Sequence, residues 1–176
     1  MKIFPEFYLG GFPSKMFCSS LTAYQKMCDK HTDDIVVFGY SEMDGLKFYS
    51  SAMVVDGNEY CSVRKTEPWG KIEKKIYQPW AEIPPVLKLS IGNVLVLLCN
   101  DAFEVKFGKI AYSQELWSKE NLDLIIIISN WENGIEEFLI NRGIKRIAKG
   151  TGCEKWILCD SFNGFFDSGN IDFEYS

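Results

Sequence analysis

Residues 122–129 read Leu-Asp-Leu-Ile-Ile-Ile-Ile-Ser. A short run of β-branched apolar residues is a strand that has to be covered on both faces, as in a parallel sheet flanked by helices. It cannot be a bilayer span, which needs about 18 apolar residues or more, and no run in the chain approaches that length. Residues 34–39 (Asp-Ile-Val-Val-Phe-Gly), 93–98 and 155–160 carry similar buried-strand patterns, with a further short strand at 86–89. Between them lie helical periodicities: residues 19–31, with Leu21, Tyr24 and Cys28 on one face, 104–118 and 134–149. Gly143 weakens the last of these by about 1 kcal/mol relative to alanine. Two strand–helix–strand units imply parallel pairing. Residues 50–56 and 59–65 form a hairpin about Asp56-Gly57-Asn58, which adds antiparallel strands. Gly10 to Pro13 and Asp44-Gly45 are turns. Residues 66–85, rich in Pro, Trp and Tyr, read as one long loop, and the tail from Ser161 as irregular.

The chain has 176 residues, 47% of them hydrophobic, which is enough for one α/β domain over residues 1–176 with a real core. Nineteen Lys and Arg against 24 Asp and Glu give a net charge of −5. The charges are interspersed, with no basic run to neutralise phosphates, so neither nucleic acid nor an anionic membrane is an expected partner. Pro5 and Glu6 interrupt the start of the chain, so no signal peptide is expected. Six cysteines stand at 18, 28, 61, 99, 153 and 159, with no Cys-x-x-Cys pair, and His31 is the one histidine. That pattern does not suit a structural metal site, and the thiols are expected to be reduced in a cytoplasmic protein.

Three expected strands end on a reactive residue: Glu6 after Ile-Phe-Pro, Lys65 after the hairpin, and Cys99 after residues 93–98. Strand ends are where α/β proteins assemble sites. A cysteine there can attack carbon, a carboxylate can take its proton, a lysine can hold developing negative charge, and the N–H groups of Asn100 and Asp101 can assist. Each residue also has an ordinary reading: a strand-end cysteine is usually a small buried hydrophobe, and a lone Glu or Lys a solvated charge.

The order of the segments carries a resemblance. Ile3-Phe4-Pro5-Glu6 followed by Leu9-Gly10-Gly11-Phe12-Pro13, then Phe48-Tyr49-Ser50-Ser51-Ala52, Val63-Arg64-Lys65-Thr66, Leu98-Cys99-Asn100-Asp101, Ser129-Asn130-Trp131 and Cys159-Asp160-Ser161-Phe162-Asn163-Gly164 resemble, in that order, segments of the nitrilase, or carbon–nitrogen hydrolase, superfamily. The resemblance implies a mixed-sheet α-β-β-α sandwich of the nitrilase type, truncated at both ends relative to the family core. It assigns Glu6 as general base, Lys65 as the catalytic lysine, Cys99 as nucleophile and Asp101 as a structural aspartate. A supporting glutamate is expected at Glu73, with Glu67 as the rival, and Asn100 is expected to offer its N–H to the oxyanion. Trp69, Tyr77, Trp80 and Trp131 are candidate walls of a substrate pocket; core packing is the alternative for each. Ser50 stands where the family usually has Asn. The family's chemistry uses no metal or organic cofactor. It implies a small-molecule amide or nitrile substrate and a homodimer or higher homo-oligomer. The missing flanking elements leave a second reading open, a catalytically inactive nitrilase-like assembly or interaction protein, and beyond it an unrelated α/β protein.

Overall fold

The computed structural model describes residues 1–9, 17–28, 34–102, 115–130, 139–161 and 164–169. Two sheets carry the fold. The first has the order β1 (Lys2–Ile3), β2 (Val36–Asp44), β3 (Lys47–Asp56), β4 (Glu59–Arg64), parallel at β1·β2 and antiparallel thereafter. The second has the order β5 (Val86–Leu89), β6 (Gly92–Leu98), β7 (Leu124–Ser129), β8 (Trp156–Asp160), β9 (Gly164–Asp167). Its centre, β6·β7·β8, is parallel, and its two flanks are antiparallel.

Side chains alternate across a strand, so each buried strand feeds two cores. Val94, Val96 and Leu98 of β6, with Ile126 and Ile128 of β7, meet Val37, Ala52, Val54 and Val63 of the first sheet in the core between the sheets. Leu95, Leu97, Ile125 and Ile127 point the other way, onto Trp117, Ile144 and Ile147. Those residues come from the helical turn at 115–118, a π-helical stretch Leu139–Ile144, and the helix that continues it, Lys145–Thr151. On the far side Val36, Phe38, Tyr40, Met53 and Val55 pack on Ala23 and Met27 of α1 (Ser20–Cys28). The layering is α-β-β-α, and each fully buried aliphatic side chain contributes roughly 1.5–3 kcal/mol to it. No described helix is long and apolar enough to cross a membrane.

The structure corrects four sequence expectations. The strand expected to stop at Gly39 runs on to Asp44. The stretch 66–85 is not one loop, because it contains α2 (Gly70–Ile76). The expected 134–149 helix, where described, begins with a π-helical stretch that includes Gly143. The tail adds β9, paired to β8. Gly10 to Pro13, His31, Trp131, Asn163 and most of the expected 104–118 helix lie outside the described residues.

Candidate active site

The sheets bring remote segments to one end of the sandwich. After β1 the chain runs on beside β2: the N–H of Phe4 donates to Val37 O (2.7 Å), that of Gly39 to Pro5 O (3.2 Å), and that of Leu9 to Gly39 O (3.0 Å). Between them Pro5 to Tyr8 form a turn, closed by the N–H of Tyr8 on Pro5 O (3.2 Å), with Phe7 at φ +61°. Lys65 follows β4 directly, and its N–H donates to Ser50 O on β3 (2.8 Å). Cys99 follows β6 at φ +42° and opens a buried 3-10 turn, Cys99–Ala102. Three described non-glycine residues have positive φ: Phe7, Cys99 and Asn121. Asparagine adopts that region readily, whereas Phe and Cys do so at a cost of about 1–2 kcal/mol each. Two strained turns therefore flank one site, which is the usual place for stored backbone strain.

Lys65 is the hub. Its Nζ donates to Glu6 Oε1 at 2.8 Å and to Glu73 Oε1 and Oε2 at 3.2 and 3.0 Å. Lys65 is 1% exposed, Glu6 2% and Glu73 8%, so the charges are out of water. Ser50 Oγ adds a second donor to Glu6 Oε1 at 2.7 Å. Glu6 Oε2, also buried, has no partner. Of the two candidate glutamates, Glu73 reaches the lysine, while Glu67 pairs with Lys74 at 3.4 Å on the surface. Glu73 is the buried residue of α2, and its Oε2 also accepts the N–H of Trp69, the residue that caps the helix (2.7 Å). The short helix is thus tied to the lysine by one carboxylate.

Burial disfavours charge on Lys65, but Glu6, Cys99 and Glu73 outweigh it and hold the ammonium well above its ordinary range. Burial, against the pull of Lys65, raises the Glu6 carboxyl. A buried carboxyl whose proton affinity is shifted by its surroundings is a candidate for proton transfer.

Asp101 joins two of the strand ends. Its Oδ1 accepts Thr66 Oγ1 (2.6 Å) and the N–H groups of Thr66 (3.0 Å) and Glu67 (3.3 Å). The residue after Lys65 is thereby strapped to the turn that begins at Cys99. Asn100, also buried, donates from its side-chain amide to Glu67 O (3.3 Å). Burial, only partly opposed by the donors from Thr66, pushes Asp101 up to about 7. A folded-state value above the unfolded one means that the folded chain binds the proton more tightly. The stabilisation is complete below the unfolded value of 3.8 and is lost as pH rises through about 7. Urea midpoints measured from pH 5 to 8 should therefore fall by the equivalent of about 2–3 kcal/mol. Asp101→Asn should remove much of that slope; a variant as steep as the wild type would show that Asp101 is not its source.

The aromatic candidates separate. Trp69 is half exposed. Tyr77 is buried, stacked on Phe7 at 5.6 Å, with its hydroxyl 2.7 Å from Ser41 Oγ. Trp80 packs on Arg64, whose guanidinium lies 4.5 Å from its ring and 4.2 Å from that of Tyr49. Arg64 is also paired to Glu42 at 2.8 Å. Glu42 is buried, yet donors from Arg64, Ser51 and Ser62 overcome the burial and lower its carboxyl. This second cluster anchors β4 just before Lys65. Among the described residues, no group of three or more His, Cys, Asp or Glu side chains is placed to hold a metal ion.

Sequence reasoning passed over two residues of the site. Ser50 was visible as a departure from a family pattern, without a role. Gly39 was read as the end of a strand, although a glycine inside an apolar run is also the signal of a close backbone approach. A Cβ there would sit 2.5 Å from Glu6 Cα.

No protein-family model matches the sequence, and no curated protein is similar enough to match it. Solved structures do match. A mutant of the amidase from Nesterenkonia sp. AN1, showing Michael addition of acrylamide at the active site cysteine, superimposes with a TM-score of 0.65 at 16% identity, covering 90% of this chain and 63% of that one. The fold is the nitrilase-type sandwich. NitN amidase from the same source gives 0.66 at 16% identity, with 94% and 67% covered. A mutant of the amidase in complex with butyramide gives 0.62 at 17% identity, with 80% and 51% covered. The chain thus spans about half to two-thirds of the length of these nitrilase-type structures.

Proposed function

We propose that this chain is a member of the carbon–nitrogen hydrolase superfamily and cleaves a non-peptide carbon–nitrogen bond, in an amide or nitrile, through a thioester on Cys99. The observation that carries the reading is the buried ammonium of Lys65 held between Glu6 and Glu73, with the buried turn that opens at Cys99 tied by Asp101 to Thr66, the next residue. A lone structural ion pair has no need of two carboxylates and a strained cysteine turn at the same place. The fold shared with an amidase, a mutant of which shows acrylamide added at its active site cysteine, agrees with it.

For an amide, Glu6 takes the proton of Cys99, and the thiolate attacks the carbonyl carbon. The oxyanion is held by the Lys65 ammonium and the Asn100 N–H. The intermediate collapses, the C–N bond breaks, and the nitrogen leaves as ammonia or an amine with the proton from Glu6. Glu6 then takes a proton from water. The hydroxide attacks the thioester, the C–S bond breaks, and the sulfur is reprotonated as the acid departs. Glu73 fixes Lys65, so that the ammonium faces the reacting carbon. The substrate is a small molecule, and the working form is a cytoplasmic homo-oligomer; among the described residues, β1, β4, β5 and β9 are the strands at the sheet edges.

The test is ammonia release from a series of short aliphatic amides and nitriles, with intact mass to detect the acyl-enzyme. Cys99→Ala should lower turnover by about 1,000-fold or more and abolish the mass increment. Equal labelling of wild type and variant by a thiol-directed probe, or no turnover of any member of the series, would favour the inactive-homologue reading.

A further inference from the structure

We infer that Ser50 is a positioning residue that decides which oxygen of Glu6 handles the proton. The inference rests on the hydrolase reading above and deepens it. Ser50 lies on β3, 1% exposed, and does two things at once. Its carbonyl accepts the N–H of Lys65 (2.8 Å), and its hydroxyl donates to Glu6 Oε1 (2.7 Å). One residue therefore sets the backbone of the ammonium and the rotation of the carboxylate. Lys65 Nζ donates to that same Oε1 at 2.8 Å. Both donors converge on a single oxygen, and Oε2 is left buried without a partner.

A carboxylate oxygen that accepts two strong hydrogen bonds holds its electrons less available to a proton than a bare one does. A buried acceptor without a partner is costly, and such an atom in a candidate site calls for a function. Oε2 is the oxygen that takes the proton of Cys99. Without the Ser50 hydroxyl, Lys65 alone would hold the carboxylate, and it could turn to present either oxygen. The charged and titratable groups acting on this carboxyl from the surrounding elements are Lys65 after β4, Glu73 on α2 and Tyr77 just after α2. Cys99 acts on Lys65 from the end of β6. Ser50 is the neutral donor among them, so its removal changes the orientation and basicity of Glu6 without removing a charge.

The experiment follows alkylation of Cys99 by iodoacetamide from pH 5 to 9, read by mass at the Cys99 peptide, in wild type, Ser50→Ala and Ser50→Thr. In the reaction the Cys99 proton passes to Oε2 and the sulfur displaces iodide from carbon. In Ser50→Ala the acid limb should move up by about 0.5–1 pH unit and the plateau rate should fall about 10-fold, the loss of one hydrogen bond to a charged group. Ser50→Thr, which keeps the hydroxyl, should restore both. Should the alanine variant fail to melt cooperatively, Ser50→Cys, a weak donor of similar size, is read by the same two criteria. A Ser50→Ala profile that superimposes on the wild type overturns the inference and leaves the hydrolase reading standing. A wild-type Cys99 that alkylates no faster than a free thiol at any pH overturns the reading itself.

Discussion

Lys65→Met should destabilise the fold by about 3–5 kcal/mol at pH 8 and abolish turnover. The lysine is fully buried and is the cation between Glu6 and Glu73. Methionine fills a similar volume but leaves two buried carboxylates facing each other with no ammonium. Desolvation and mutual repulsion both oppose their ionisation, so at least one must take up a proton. Glu6, already raised by burial, would lose the opposing pull of Lys65 and rise further above its unfolded value. Stability contributed by such groups is present at low pH and is lost as pH rises, so the variant should be more nearly normal at pH 5 than at pH 8. Wild-type Lys65 has a raised value instead, and its contribution is constant until far above neutral pH. Urea unfolding at the two pH values separates the cases. A cost below about 1 kcal/mol at pH 8 would mean that the cluster is not held together by its charges. Lys65→Met with Glu73→Gln should recover part of the loss at pH 8, because one of the stranded charges is gone.

The contrast between what the sequence exposes and what it hides follows from distance along the chain. The apolar runs at 94–98 and 124–128 are legible because burial on both faces leaves no polar residue to interrupt them, and the structure pairs them in parallel. The Asp56-Gly57-Asn58 hairpin is legible because its signal is local. Helix α2 is not. Its seven residues, Gly-Lys-Ile-Glu-Lys-Lys-Ile, have no apolar stripe to bury, since the buried side chain is Glu73. Its tertiary partner, Lys65, lies outside any helical pattern. Strand β9 is four residues long, stands at an edge and sits between glycine turns, so its pairing to β8 supplies what its sequence does not announce. Glu6, Lys65 and Cys99 could be named as reactive strand ends and given roles by resemblance. That Glu73 rather than Glu67 meets Lys65 could not be read from spacing, because both follow it within eight residues. Ser50 acts on a residue 44 positions away. A serine in a strand looks the same whether its hydroxyl meets water or a buried carboxylate.

Gly39→Ala should cost about 2–4 kcal/mol in stability and lower turnover, or the rate of Cys99 labelling, by about 100-fold in the protein that remains folded. A Cβ on this residue would lie 2.5 Å from Glu6 Cα, 2.6 Å from Phe7 N and 2.8 Å from Pro5 O. All three are backbone atoms, so no change of rotamer relieves the contact; the Pro5–Tyr8 turn must move away from β2. That movement breaks the hydrogen bond from the Gly39 N–H to Pro5 O and strains the one from Leu9 to Gly39 O. Phe7 already occupies φ +61° and has little freedom to absorb the shift. Glu6 rides on the displaced turn, so its carboxylate leaves the position where Lys65 and Ser50 meet it. An error of about 1 Å in a group that exchanges protons with the nucleophile is enough for a loss of this size. Gly57→Ala is the control. Its φ of +59° makes any side chain unfavourable, but nothing lies within 4 Å of the added carbon, and the hairpin tip is at the opposite end of the β3–β4 pair from Ser50 and Lys65. It should cost about 1 kcal/mol and leave Cys99 reactivity unchanged. Wild-type reactivity in Gly39→Ala would mean that the chemistry does not depend on where Glu6 sits, and the role given to that carboxylate would have to be withdrawn.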